Sequence, residues 1–131
     1  MKILFFSAKP YDRQFFEISN QTQNFELEFW ETHLGPHIVD AIKKDTYDAV
    51  CVFVNDKLTA PVIATLAEKG IKIIALRCAG FNNVDVDAVK KHGLRLCRVP
   101  AYSPQAVAEH AVALLLTLNR KTHKAYNRIR E

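Results

Sequence analysis

Ile71-Lys72-Ile73-Ile74-Ala75-Leu76-Arg77-Cys78-Ala79-Gly80-Phe81-Asn82-Asn83-Val84-Asp85 carries the reading of the fold. Its first five residues form an apolar, β-branched run of the kind buried in a parallel sheet. Asp85 to His92 reads as a helix, with Asp85 at the N-cap and Gly93 where a left-handed C-terminal glycine is favoured. A glycine-bearing loop thus joins the end of a strand to the start of a helix. In open parallel sheets ligands bind at that rim, outside the carboxyl ends of the strands. Gly80 permits positive φ or close approach of a ligand, and successive amides in such a loop can form an anion-binding concavity. Arg77 adds charge nearby, while Asn82 and Asn83 are suited to bonding adjacent backbone. Spacing alone also fits a plain tight turn that needs these residues only for shape.

Outward from this loop the same alternation repeats. Toward the N-terminus, Thr59 caps a helix with Pro61 in its first turn and Val62, Ile63, Leu66 and Ala67 inward; Gly70 ends it. Before it, Ala49 to Val54 is the strongest buried-strand signal, followed by the polar loop Asn55-Asp56-Lys57. A short helix is expected within 33–44 after the Gly35-Pro36 breaker. Phe25 to Trp30 alternates apolar and acidic, marking an edge strand with Phe25, Leu27 and Phe29 inward. Tyr11 to Asn20 has helical spacing, and Ile3 to Phe6 is a central strand. Toward the C-terminus, Leu94 to Val99 alternates as another edge strand.

Strand and helix alternate throughout, which implies right-handed crossovers and a parallel sheet with helices on both faces. Two-sided strands one, three and four belong in the centre, and two and five at the edges. The expected fold is therefore α/β, a flavodoxin-like five-stranded parallel sheet of order 2-1-3-4-5. After Pro100-Ala101-Tyr102, Ser103 caps and Pro104 begins one long helix reaching about Arg128. Its first half is apolar all round, a pattern proper to a helix sandwiched between two bodies of protein. The expected organisation is a domain over 1–103 and a linking helix over 104–131.

The 131 residues suit a single core, and 49% apolar with 24% charged residues is ordinary for a globular protein. The net charge of +4 is concentrated near the end, where basic residues suit a helix C-terminus; no motif supports nucleic-acid binding. Cys51, Cys78 and Cys97 form no disulfide or metal pattern, and the expected compartment is a reducing cytoplasm. The longest uncharged apolar run, Ala111 to Leu118, is too short to span a membrane. No G-x-G-x-x-G and no phosphate-binding loop occurs, and none of the five histidines has a local catalytic or metal partner.

Two long motifs, Ala75 to Asp85 and Arg98-Val99-Pro100-Ala101-Tyr102-Ser103-Pro104 continued by Ala106-Val107-Ala108-Glu109-His110, resemble the D-isomer-specific 2-hydroxyacid dehydrogenases, with support from Phe53-Val54-Asn55-Asp56. The likeness covers the whole chain and lies closest to the NAD-dependent D-lactate dehydrogenases. It implies that the backbone at Cys78, Ala79 and Gly80 cradles a substrate carboxylate and that Phe53 forms pocket wall. Tyr102 is implied to face substrate and cofactor, and Val107 to approach the nicotinamide. Glu109 and His110 read as helix-start residues. The family's glycine-rich pyrophosphate turn and its catalytic arginine, histidine and acid have no counterpart up to Glu131, so the resemblance implies the opening segment of an enzyme, inactive alone and without measurable NAD affinity. Two other readings are a stand-alone module for small carboxylates and a homodimer formed through the helix after Pro104.

Overall fold

The computed structural model describes residues 1–130. Five strands, β1 (Lys2–Phe5), β2 (Glu26–Phe29), β3 (Ala49–Val52), β4 (Ile73–Leu76) and β5 (Arg95–Arg98), form one sheet of order β2-β1-β3-β4-β5. Every pairing is parallel, with Phe5 opposite Phe29 and Cys51, and Leu76 opposite Val52 and Arg98. The expected topology is therefore the observed one.

Strand periodicity sorts side chains between two cores. Leu4, Phe6, Val50, Val52, Ile74 and Leu76 face one way, packing with Val62, Ile63 and Leu66 of α2 (Ala60–Glu68) and with Ala88 and Val89 of α3 (Val86–Lys91). Phe5 and Cys51 face the other way, beneath Phe16 of α1 (Pro10–Asn20). Phe5 lies between the rings of Phe16 and Phe29, with both centroids at 4.6 Å. Each fully buried aliphatic or aromatic side chain contributes about 1.5–3 kcal/mol relative to exposure.

Three local expectations need correction. The helix expected within 33–44 shrinks to a single 3-10 turn, Val39–Ala41, which follows the Gly35-Pro36 breaker closely. Thr59 and Ser103 occupy the N-caps of α2 and of α4 (Pro104–Arg120), but neither side chain makes a capping bond. The long helix ends at Lys121, whose φ of 51° and ψ of 41° are left-handed, and α5 (Thr122–Arg130) starts anew. Neither glycine nor proline marks that break, so no sequence punctuation signals it.

Asp85 does cap α3, its carboxylate accepting from the Ala88 amide at 2.9 Å, and Gly93 follows with φ of 68°. The chain divides into two compact units, one running Met1–Pro100 and one beginning at Ala101. Taken by itself, the second unit consists of α4 and α5, and α4 contains no buried residue. Among the described residues, no helix is long and apolar enough to cross a membrane.

Candidate functional site

The loop after β4 is held from both sides by its neighbours at the carboxyl ends of the strands. On the β5 side, the Val99 amide donates to the Cys78 carbonyl at 3.2 Å, and Arg98 Nη1 donates to the Ala79 carbonyl at 2.9 Å. On the β3 side, Asn83 Nδ2 donates to the carbonyls of Phe53 and Asp56, at 3.1 and 2.9 Å. The Leu58 amide returns a bond to the Asn83 carbonyl at 2.9 Å, and the Asp85 amide to the Leu58 carbonyl at 2.9 Å. Asn83 thus plays the loop-fixing part expected of it, whereas the Asn82 side chain makes no hydrogen bond among the described residues.

The polarity of this loop is one-sided. The carbonyls of Cys78, Ala79, Gly80, Phe81 and Asn83 all accept hydrogen bonds, that of Gly80 from Cys78 Sγ at 3.2 Å. The backbone amides from Cys78 to Asn83 donate to nothing among the described residues. Gly80, Phe81 and Asn82 are exposed, so the bend stands open to solvent. A run of solvent-open amides on a loop with most of its carbonyls tied back can receive an anion.

Two residue readings change here. Gly80 does not use positive φ, and a Cβ built on it meets nothing within 4 Å. Neither conformation nor packing within the chain requires glycine at that position. Arg77 makes no hydrogen bond to the loop, although its charge is felt at Cys78. Its side chain turns inward, 9% exposed, with Nη1 2.9 Å from Asp12 Oδ1 and Nη2 donating to the Phe6 carbonyl at 2.7 Å. Nε is buried without a partner, and the Nη1 contact is an ion pair whose geometry falls short of a hydrogen bond. The guanidinium that bonds the loop is that of Arg98, whose Nη1 also lies 3.3 and 3.1 Å from the carbonyls of Val99 and Pro100.

Phe53 stands at the end of β3, 37% exposed, with the Arg77 guanidinium 5.3 Å from its ring centroid. Its amide donates to Asp56 Oδ2 at 2.5 Å. Asp56 is wholly buried; its Oδ1 accepts from Ser7 Oγ at 2.6 Å and from the Leu34 amide at 2.8 Å. Ser7 Oγ in turn lies 2.6 Å from His33 Nδ1. Sequence reading took Asp56 for part of a polar loop and His33 for an ordinary histidine. The available signal was an acid following an apolar strand and preceding a buried Leu58.

On the α1 side of the rim a cleft of about 500 Å³ is floored by Cys51, Ala75 and Cys97, with Phe53, Arg77 and Arg98 at its border. Burial pushes the Cys51 thiol up to about 12, and desolvation also raises that of Cys78, against the nearby Arg77 charge in both cases. Both are protonated near neutrality and unsuited to act as nucleophiles. Among the described residues, no group of three potential ligands could hold a metal ion. Tyr102 (83% exposed) and Val107 belong to the second unit, where both side chains are open.

Residues 3–131 match the family model described as D-isomer specific 2-hydroxyacid dehydrogenase, catalytic domain. The D-lactate dehydrogenase of Escherichia coli is 49% identical over 131 residues, which are 100% of this chain and 39% of that protein. The apo-structure of D-lactate dehydrogenase from Escherichia coli superposes with a TM-score of 0.78 at 48% identity, over 99% of this chain and 41% of that one. A D-lactate dehydrogenase from Aquifex aeolicus, complexed with NAD and lactic acid, gives 0.78 at 30% identity, over 98% of this chain and 37% of that one. The chain therefore spans well under half the length of the relatives it matches.

Proposed function

The chain belongs to the D-isomer-specific 2-hydroxyacid dehydrogenases, and on that premise we propose that it supplies the substrate-carboxylate seat of an NAD-dependent D-lactate dehydrogenase. The observation that carries this reading is the loop over residues 78–83, with five of its six carbonyls paired and its amides unused. The amides of Cys78, Ala79 and Gly80 receive the carboxylate of pyruvate. Each charge-assisted hydrogen bond to such an anion contributes about 1.5–3 kcal/mol. Phe53 forms an apolar wall that keeps the keto-acid oriented. Gly80 leaves the space that a Cβ would otherwise take from the anion.

Tyr102 faces substrate and cofactor in this reading, and Val107 offers an apolar contact to the nicotinamide. The cofactor supplies hydride when bound. Its phosphates have no seat on these residues, since the glycines at 35, 70, 80 and 93 stand apart and none forms a pyrophosphate turn. The 131-residue chain alone is accordingly inactive and binds NAD no better than its exposed rings allow. The same reading gives a cytoplasmic enzyme and a homodimer joined through the exposed apolar side chains of α4, among them Leu114, Leu115 and Leu118.

The deciding experiment is NADH oxidation by the polypeptide expressed from the complete reading frame, with pyruvate and a series of larger 2-keto acids. Reduction of pyruvate to the D-isomer supports the proposal. Failure with every 2-keto acid overturns it, as does turnover by the 131-residue chain alone.

A further inference from the structure

We propose that Arg98 is a positioning residue that aims and polarises the Gly80 amide, an inference resting on the reading of the loop as a carboxylate seat. A trans peptide holds its C=O and N–H antiparallel, and the described chain contains no cis bond. Arg98 Nη1 fixes the Ala79 carbonyl at 2.9 Å, so the Gly80 N–H of the same peptide points away from the guanidinium. The Val99 amide fixes the Cys78 carbonyl at 3.2 Å, and the Ala79 N–H is turned away from β5 in the same manner. Two successive donors are thus presented on the side of the loop opposite the edge strand.

The charge does more than fix direction. A cation on a peptide carbonyl draws electron density along the amide and makes its N–H a stronger donor, the cooperative strengthening known for chained hydrogen bonds. Nη1 sits among three carbonyls, those of Ala79, Val99 and Pro100, and the guanidinium carbon lies 5.6 Å from the centroid of the Phe81 ring. That arrangement joins the end of β5 to both halves of the bend, with the ring of Phe81 covering the charge. Arg77 cannot substitute, because Asp12 and the Phe6 carbonyl already engage it. A lysine could donate to the carbonyls but lacks the planar fork that also packs on the ring.

The test compares Arg98→Gln and Arg98→Lys with the unaltered protein. In the ¹⁵N-labelled 131-residue chain, the Gly80 amide proton moves upfield in Arg98→Gln without any ligand, and by less in Arg98→Lys. In the polypeptide from the complete reading frame, the KM for pyruvate and the Ki for oxamate rise together by about tenfold in Arg98→Gln, the loss of one charge-assisted bond. The KM for NADH stays unchanged. If oxamate does not compete with pyruvate in the unaltered protein, the carboxylate seat itself is wrong and the Arg98 assignment falls with it. If oxamate competes but its Ki is the same in Arg98→Gln, or the Gly80 proton does not move, the seat stands and Arg98 has no part in it.

Discussion

Ser7 Oγ lies 2.6 Å from Asp56 Oδ1, joining the segment just after β1 to the loop after β3 across 49 positions of sequence. Ser7 holds a left-handed φ of 54° to do so, and its own amide donates to the Thr32 carbonyl at 2.8 Å. Asp56 also accepts from the amides of Leu34 and Phe53, so one buried carboxylate organises three segments of the rim. Asp56→Ala leaves those donors without an acceptor, at about 1–3 kcal/mol for each one that stays buried. Urea unfolding is expected to show a loss of about 3 kcal/mol or more; a loss under about 1 kcal/mol means that water replaces the carboxylate freely. Asp56→Asn retains one oxygen and is expected to speed hydrogen exchange at the Phe53 amide while leaving Leu34 protected.

Arg77 and Asp12 form another polar contact that bridges elements, between the end of β4 and the first turn of α1. Their side chains are 9% and 16% exposed, so removing one leaves the other charge without compensation in a dry setting. Arg77→Met is expected to cost about 3–5 kcal/mol, whereas the double variant Asp12→Leu with Arg77→Met recovers most of that loss. A double-mutant cycle with no coupling between the two would show that the pair only decorates the packing of α1.

Sequence patterns made the sheet legible because its determinants are local. Runs such as Ala49 to Val54 and Ile71 to Leu76 declare two-sided strands, and the acidic alternation at Glu26 and Glu28 declares an edge. The rim was harder to read. Asp56 meets Ser7 and Leu34 only once three strands have assembled, and nothing near Asp56 in sequence announces that meeting. The two arginines were indistinguishable in the same way: Arg77 follows β4 and Arg98 ends β5, and only the packing of α1 turns the first inward. Gly80 reads as special for two alternative reasons: a positive φ, which it does not adopt, and close approach of a ligand without a Cβ, for which its open surroundings leave room. Its openness to solvent is a property of the folded rim alone.

A cluster at the amino end of the sheet is expected to shape the pH dependence of stability. Burial raises the Glu28 carboxyl, but bonds from Tyr47 and Trp30 and the charge of Lys2 outweigh it and leave it below the ordinary 4.5. The Lys2 amide holds Asp48 below 3.8, against a smaller effect of desolvation. These lowered groups stabilise the fold above their unfolded values, and that contribution is lost as pH falls through the folded ones. Burial and then the Glu28 carboxylate push Tyr47 up to about 12, and a bond to Glu26, opposed by desolvation, raises Lys2 above 10.5. Their contribution is complete below the unfolded values of 10.0 and 10.5 and is lost as pH rises through the raised ones. The thermal midpoint is expected to hold a plateau between these limbs. Glu28→Gln should bring the phenolate absorbance of Tyr47 back toward an ordinary titration; an unchanged titration would leave burial and the Glu26 charge as its causes.

Two glycines separate folding from binding. Gly70 has φ of 90°, and a Cβ there would stand 2.6 Å from Asp45 Oδ1, so Gly70→Ala meets both backbone strain and a displaced side chain. A loss of about 1–2 kcal/mol is expected for the left-handed conformation alone. Gly80→Ala meets neither, and the fold is expected to be unchanged or more stable by about 0.4–1 kcal/mol, because alanine restricts the unfolded chain. Its methyl group would nonetheless project from the loop whose amides are free. In the polypeptide from the complete reading frame, Gly80→Ala should therefore raise the KM for pyruvate with no fall in thermal midpoint, the reverse of Gly70→Ala. An unaltered KM in Gly80→Ala would mean that no carboxylate comes near this bend, and the glycine would then be left without a role in either folding or binding.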